Sequence, residues 1–167
     1  MPLVFQQATE KDIPHLIALQ EQIWEPTYRD LLSPEQISYM FERIYSPEAL
    51  AHQMAEGHTF LLAYAQESLI GFAAYSVVDL SGQRYKLHKL YVLPAGQGQG
   101  WGRQLIEEVG RQCRERGGNQ LTLNVNRDNK ARWFYEKMGF IVVREEDIPI
   151  GPYWMNDYVL EKDLGTA

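Results

Sequence analysis

The apolar positions of this chain repeat with one period in its first third and with another beyond it. Ile13, Leu16, Ile17, Ile23 and Trp24 keep approximate helical spacing, interrupted by polar Gln20. Thr9, ahead of Glu10-Lys-Asp12, has the character of an N-cap followed by an acidic first turn. Pro26 lacks the amide hydrogen that a helix interior needs, which predicts that this first helix stops near Trp24-Glu25. Ser33-Pro34-Glu-Gln36 and Ser46-Pro47-Glu48 each set a capping hydroxyl before a proline at the first helical position. They predict helices running to about Ile44 and to the glycine at 57. A short strand over 3–7 precedes all three.

Past Gly57 the apolar period shortens to two. Strands are predicted over 59–65 and 70–78, joined by the hairpin-length link Gln66-Glu-Ser-Leu69, and over 84–93 after a turn at 80–83. Glycines at 96, 98, 100 and 102 then interrupt the chain. Leu105, Ile106, Val109 and Cys113 follow on one helical face, with Arg111, Arg114 and Arg116 near its end and Gly117-Gly118 as its stop. Leu121, Leu123 and Val125 alternate with Thr122, Asn124 and Asn126, which is strand spacing. A short helix over 129–138 puts Ala131, Phe134, Tyr135 and Met138 on a common face, and strands over 140–144 and 153–161 close the chain. No repeat, low-complexity stretch or linker divides residues 1–167, so one domain is expected. Helices first, then antiparallel strands, then β-α-β-α-β-β implies an α/β (α+β) fold. Its sheet should be mixed, mostly antiparallel, of about 6–7 strands and flanked by helices.

Composition narrows the function classes. A chain of 167 residues can bury about 70% of its unfolded surface, enough for a proper core. Lysine and arginine number 16 against 22 aspartate and glutamate, a net charge of -6 that weighs against nucleic acid and suits a cationic substrate. Cys113 is the one cysteine, so no internal disulfide can form. No apolar run of membrane-spanning length and no signal-peptide pattern occurs, which predicts a cytoplasmic protein with no membrane partner. His15, His52, His58 and His88 show no metal-ligand spacing, and no metal is expected.

The chemistry gathers at residues 87–106, where an apolar strand stops at Pro94, a glycine loop follows and a helix begins. The first amides of a helix lack intrahelical partners and sit at the positive end of its dipole, so this junction favours an anion. Glycine lets the main chain approach a phosphate closely. A P-loop would need Lys-Ser or Lys-Thr after the glycines, and neither dipeptide occurs in the chain. A dinucleotide fingerprint, Gly-x-Gly-x-x-Gly, fails in both registers, because Trp101 and Arg103 occupy the third glycine position. What remains is Gln97-x-x-Gly100-x-Gly102.

Gln97-Gly-Gln-Gly100-Trp-Gly102 resembles the pyrophosphate loop, Gln/Arg-x-x-Gly-x-Gly/Ala, of the GNAT superfamily of acyl-CoA-dependent N-acyltransferases. About 27 residues on stands the superfamily's second element, Asn129-Lys-Ala-Arg-Trp-Phe-Tyr135-Glu-Lys-Met-Gly139-Phe140. Residues 87–94, Leu123-Asn-Val-Asn126 and the ending 153–161 look like the PaiA-type branch, associated with spermidine and spermine acetylation. The resemblance implies acetyl-CoA as co-substrate, a small-molecule amine as acceptor and, since the family often dimerises, compatibility with a homodimer. It implies that the amides of Gln97, Gly98, Gln99, Gly100, Trp101, Gly102 and Arg103 hold the pyrophosphate. Trp101 departs from the small aliphatic residue common at its position.

By the same resemblance, the main chain of Leu90, Tyr91 and Val92 pairs with the pantetheine arm and polarises the thioester. Asn129 and Lys137 contact the cofactor, and Tyr135 is the general acid for the departing thiolate. An amine that is protonated at neutral pH must lose a proton before it attacks, and His88, on the face expected for Leu90 and Val92, is the candidate base. The early helices border the acceptor pocket in this superfamily. Trp24, Glu25, Tyr28 and Asp30 are therefore candidates for gripping an ammonium group, with 145–147 and Asp157 adding negative potential. Two other readings are a protein or peptide N-acyltransferase, which needs an open groove, and a non-catalytic acyl-CoA-binding sensor.

Overall fold

A computed structural model describes residues 2–96 and 98–165. Seven strands, β1 (Val4–Gln7), β2 (Thr59–Ala65), β3 (Ser68–Val77), β4 (Arg84–Val92), β5 (Gln120–Asn126), β6 (Ile141–Ile150) and β7 (Tyr153–Asp163), make one sheet in the order β1-β2-β3-β4-β5-β7-β6. Every neighbouring pair is antiparallel except β4 with β5. Helices α1 (Ile13–Tyr28), α2 (Pro34–Tyr45) and α3 (Pro47–Ala55) precede β2, α4 (Trp101–Glu115) joins β4 to β5, and α5 (Ala131–Lys137) joins β5 to β6. This is the expected single α/β domain with a mixed, mostly antiparallel sheet.

The alternation of strand side chains splits the core into two clusters. Leu61, Ala73, Tyr75, Leu87, Leu121 and Leu123 pack on one side with Leu105, Ile106, Val109 and Cys113 of α4 and with Tyr135 of α5. Phe60, Leu62, Phe72 and Ala74 pack on the other with Leu16, Ile23, Trp24, Met40 and Leu50 of the first three helices. Ser33 and Ser46 cap α2 and α3 through bonds from the Gln36 and Ala49 amides, as their spacing predicts.

The first helix does not stop before Pro26. It continues to Tyr28, with Pro26 in its last full turn. The carbonyl that would have received the missing proline N–H belongs to Gln22, which is exposed to water. Thr27 Oγ1 donates to the Ile23 carbonyl at 2.7 Å, and the Arg29 amide closes the turn on Glu25. Tertiary packing adds the rest: the Tyr28 ring lies 4.5 Å from Trp24, and its hydroxyl is 3.0 Å from that of Tyr91. Gln20, the polar interruption in the pattern, is itself fully buried.

Three smaller boundaries also moved. The β2–β3 link is only Gln66-Glu67, made possible by a positive φ of 57° at Gln66. Helix α5 starts at Ala131 rather than 129, because Asn129 turns its side chain onto the Ala131 amide at 2.9 Å. Strand β6 runs on to Ile150, past the 144 that its apolar run suggests. It is an edge strand, where charged residues and Pro149 are tolerated because one row of backbone groups faces water.

At the β4–α4 junction Trp101 covers Gly96 so closely that a Cβ there would lie 1.9 Å from the indole. The tryptophan that departs from the usual loop residue is thus accommodated by a glycine five positions earlier. Replacing Gly96 with alanine should therefore push the indole off its seat and destabilise the fold by about 1–3 kcal/mol. Urea unfolding followed by tryptophan fluorescence measures it, and an unchanged midpoint would refute the packing.

Candidate active site

Strands β4 and β5 pair over only four residues each, from Arg84↔Gln120 to Leu87↔Leu123, and then separate. Beyond Leu87, β4 remains bonded to β3 alone. The Leu93 amide donates to Ile70 of β3 at 2.8 Å, and the Tyr91 carbonyl lies against Gly71 of the same strand. Backbone groups alternate edges along a strand, so those of Leu90 and Val92 turn to the opposite edge, where β5 has left. A mid-sheet strand therefore carries main-chain donors and acceptors that the sheet does not use.

The face of β4 is reset at the same point. Its pairing with β3 shifts between Ala74↔Lys89 and Tyr75↔Leu87, which leaves His88 as the extra residue of a β-bulge. Before the bulge Tyr85 and Leu87 point into the α4 cluster; after it Leu90 and Val92 do. His88 therefore does not share their face, contrary to simple alternation. It lies on the α1–α3 side, its ring stacked on His58 at 4.0 Å and its Nε2 2.7 Å from the Ser76 hydroxyl. Lys89 also emerges on that side.

The parting strands open a cavity of about 970 Å³ that runs from the N-terminus of α4 to the inner ends of α1 and α2. Gly98, Gly100, Gly102, Trp101 and Arg103 line one end, and Gly98 and Gly100 adopt positive φ of 86° and 75°. Asn126 and Asn129 of the β5–α5 turn, with Phe134 and Tyr135, line the middle. The far end is formed by Trp24, Tyr28, Met40 and Tyr45, by Gln53 and His58, and by Met155 and Asp157 of β7.

Most of the expected site residues meet here: Trp24, Tyr28, His88, Leu90, Tyr91, Val92, Asn129 and Tyr135 all line it, as does the glycine loop. Glu25 does not join them. Because α1 continues, its i,i+4 face carries Trp24 and Tyr28 inward while Glu25 turns to solvent and pairs with Arg29 at 3.0 Å. Asp30, Gln99 and Lys137 are exposed and off the cavity, and Gln97 lies outside the described residues. Glu145 and Asp147 are held by Arg127 on the outer side. Lys86, Lys89, Asn124 and Asn126 were missed as site residues. Asn124 and Asn126 stood in the sequence as the polar half of an alternating strand, as Lys86 did in β4, and Lys89 was hidden by a bulge that residue type does not announce.

Burial sets the protonation states. Tyr135, 8% exposed, is held above the ordinary phenol pKa by desolvation, with Tyr28 adding to it, so it is a neutral hydroxyl. His88 is pushed down to about 3 by desolvation, then by His58, Lys86 and Lys89, and is a neutral imidazole. Asp157, 7% exposed, is raised by desolvation although Asn124 Nδ2 donates to it at 3.3 Å. Lys89, 8% exposed, is lowered to about 8 by desolvation.

Residues 28–151 match the family model described as the acetyltransferase (GNAT) domain, and the chain belongs to that family of acetyl-CoA-dependent N-acetyltransferases. It is 26% identical to the spermidine N(1)-acetyltransferase of Thermoplasma acidophilum, over 97% of this chain and 98% of the relative. It is 33% identical to a ribosomal protein bS18-alanine N-acetyltransferase of Haemophilus influenzae, over 60% of this chain and 74% of that one. In structure it resembles the PaiA N-acetyltransferase from T. acidophilum in complex with coenzyme A, with a TM-score of 0.81, 27% identity and coverage of 98% and 99%. The glycine-lined helix start fits the phosphates of that co-substrate: Gly98 and Gly100 are exposed and face open space, with no Cβ before their backbone. Among the described residues no helix is long and apolar enough to cross a membrane.

A neutral buried imidazole makes folding pH-dependent. The unfolded histidine titrates near 6.5 and folded His88 near 3, so between these values the unfolded chain holds more protons and stability rises with pH. His58, also lowered, acts in the same direction, and raised Asp157 opposes it. Denaturant midpoints taken from pH 7 down to pH 5 (about the upper half of that window) should fall less steeply in His88→Asn than in the parent chain. Parallel curves would remove His88 from the titration.

Proposed function

We propose that the protein moves an acetyl group from acetyl-CoA to the primary amine of a small molecule, in one direct transfer. The observation that carries this reading is the unpaired edge of β4 facing Tyr135 across the cavity. Leu90 and Val92 offer main-chain N–H and C=O to the pantetheine arm as a missing strand would, and an amide at this edge can receive the charge that develops on the thioester oxygen. The amides of Gly98, Gly100, Trp101, Gly102 and Arg103 take the pyrophosphate, while that of Gln99 is bonded to the Gly96 carbonyl at 3.2 Å, and Asn129 approaches the cofactor from the β5–α5 turn. The neutral amine nitrogen forms a bond to the thioester carbon as the carbon–sulfur bond breaks, the thiolate takes the proton of Tyr135, and the proton that nitrogen sheds on becoming an amide returns to the Tyr135 oxygen. The raised pKa of Tyr135 suits this work, because it keeps the proton in place until sulfur needs it. Cys113, buried on the core face of α4 with its thiol pushed up to about 12, is unsuited to an acyl-enzyme.

The proton that the acceptor's ammonium form first loses goes to Asp157, directly or through water, rather than to His88. An imidazole held near 3 is a poor resting place for it, whereas a desolvated carboxylate both attracts an ammonium and accepts its proton. Trp24 and Tyr28 supply aromatic faces beside that point. Polyamines are the acceptors favoured by likeness to the Thermoplasma spermidine enzyme. The cavity's own charges are less favourable to a polycation, since Lys86 and Lys89 line it together with Asp157. Transfer to a protein N-terminus is the second reading, favoured by likeness to the bS18-alanine enzyme. A cytoplasmic location and a homodimer fit either reading.

Incubation with acetyl-CoA and a panel of polyamines, amino acids and peptides, followed by mass, tests the reading; tight acetyl-CoA binding with no acetylated product would overturn it in favour of a sensor. For Tyr135→Phe, turnover should fall by about 10²–10⁴ with acetyl-CoA affinity kept, and full turnover would remove the general-acid role. Gly100→Asp sets a side chain and a negative charge where φ is 75° and the helix start is bare, so acetyl-CoA binding should be lost while the fold persists. Unchanged affinity would refute the loop's role.

A further inference from the structure

Lys89 is a buried cation with no carboxylate partner among the described residues. Its ammonium donates to Gln53 Oε1 at 2.7 Å and lies 5.7 Å from the ring centre of Tyr45 and 5.4 Å from that of Phe60. Among the described residues no aspartate or glutamate lies within ion-pair distance of it, and desolvation alone accounts for its lowered pKa. Lys86 lies on the same side of β4, near enough to act on both His88 and Asp157. At the acceptor end of the cavity two cations therefore stand against one carboxylate, with His58 and His88 both disfavoured from taking a charge.

Such an arrangement is ill suited to a long polycation. Spermidine seated here would set one ammonium by Asp157 and drive the next toward Lys86 and Lys89, with like charges in a low-dielectric space. A buried ammonium held by an amide and two rings keeps donors that an incoming anion can use, and that anion would offset the desolvation Lys89 already bears. The bulge at His88 is what brings this about, because without it Lys89 would fall on the opposite face.

We propose that the acceptor is an amine that also carries an anionic group, a carboxylate or phosphonate, with the anion held by Lys89, Gln53 and Lys86 and the amine presented beside Asp157. This rests on N-acetyl transfer within this cavity and names the acceptor class for it. The group that reacts remains the amine; the anion sets orientation and excludes amines that lack it.

The test uses amino carboxylates from glycine to ε-aminocaproate, each against the alkylamine without the carboxylate, with aminopropylphosphonate and spermidine as further arms. The parent chain should acetylate at least one anion-bearing member with kcat/KM about tenfold or more above its plain amine, the worth of a charged hydrogen bond. Lys89→Met should erase that ratio while leaving the KM for acetyl-CoA unchanged, and Lys89→Gln serves if the methionine variant does not fold. Carboxylate against phosphonate rates identify the anion. A preference for spermidine or plain alkylamines, or a ratio unmoved by both variants, overturns the proposal. Where no amine is acetylated the transfer reading fails instead. Calorimetry on the CoA-loaded protein then decides the anion site, since binding of an amino carboxylate that Lys89→Met abolishes upholds it and no binding overturns it.

Discussion

The candidate active site depends on an unfinished pairing. Four residues of β4 and four of β5 hold the two halves of the sheet together, and the strands then part although neither has ended. A sheet satisfies nearly all of its interior backbone groups, so an interior strand with one bare edge invites a ligand to finish it. Everything else in the site is placed by this parting. Helix α4 begins at one end of the gap, α5 and Tyr135 stand over it, and the open space reaches α1 on the far side.

The bulge at His88 coincides with the last paired residue, Leu87, and does two things at once. It bends β4 away from a regular course, and it moves the chain's alternation by one, so that Leu90 and Val92 rejoin the α4 core while His88 and Lys89 both face the first three helices. Through one inserted residue the strand keeps an apolar underside beneath α4 and a charged upper side toward the acceptor. The same bulge helps make His88 a weak base, since it sets Lys89 on the side where the His88 ring stacks on His58 beside Lys86.

The fold was largely legible because its signals are local. The two Ser-Pro caps, the alternation over 120–126 and the glycine stops at 117 and 139 act within a few residues, and the glycine loop with the 129–140 element pointed to acetyl-CoA as the co-substrate. The acceptor end was not, because it is made by long-range effects. Pro26 reads as a stop until the Trp24–Tyr28–Tyr91 contacts are known, and only then does Glu25 turn outward. Lys89 reads as an ordinary polar position in a strand, and nothing in Leu87-His-Lys-Leu announces that its alternation slips.

That difference follows from what each half must recognise. A co-substrate common to a family can be held by main chain at a helix start and a strand edge, groups that every sequence possesses, and a few glycines then suffice to write the site. An acceptor must be told from other amines, which takes side chains of chosen charge from separate elements, and the proposal gives that work to cavity residues from three of them: Asp157 from β7, Lys86 and Lys89 from β4, Gln53 from α3. Keeping a lysine desolvated among Tyr45, Phe60 and Gln53 costs stability that the core could have had from a methionine of similar length. A fold that bears this cost beside its candidate site has in Lys89 a charge that no carboxylate among the described residues pairs, and in the proposed reaction the acceptor's anion is what pairs it.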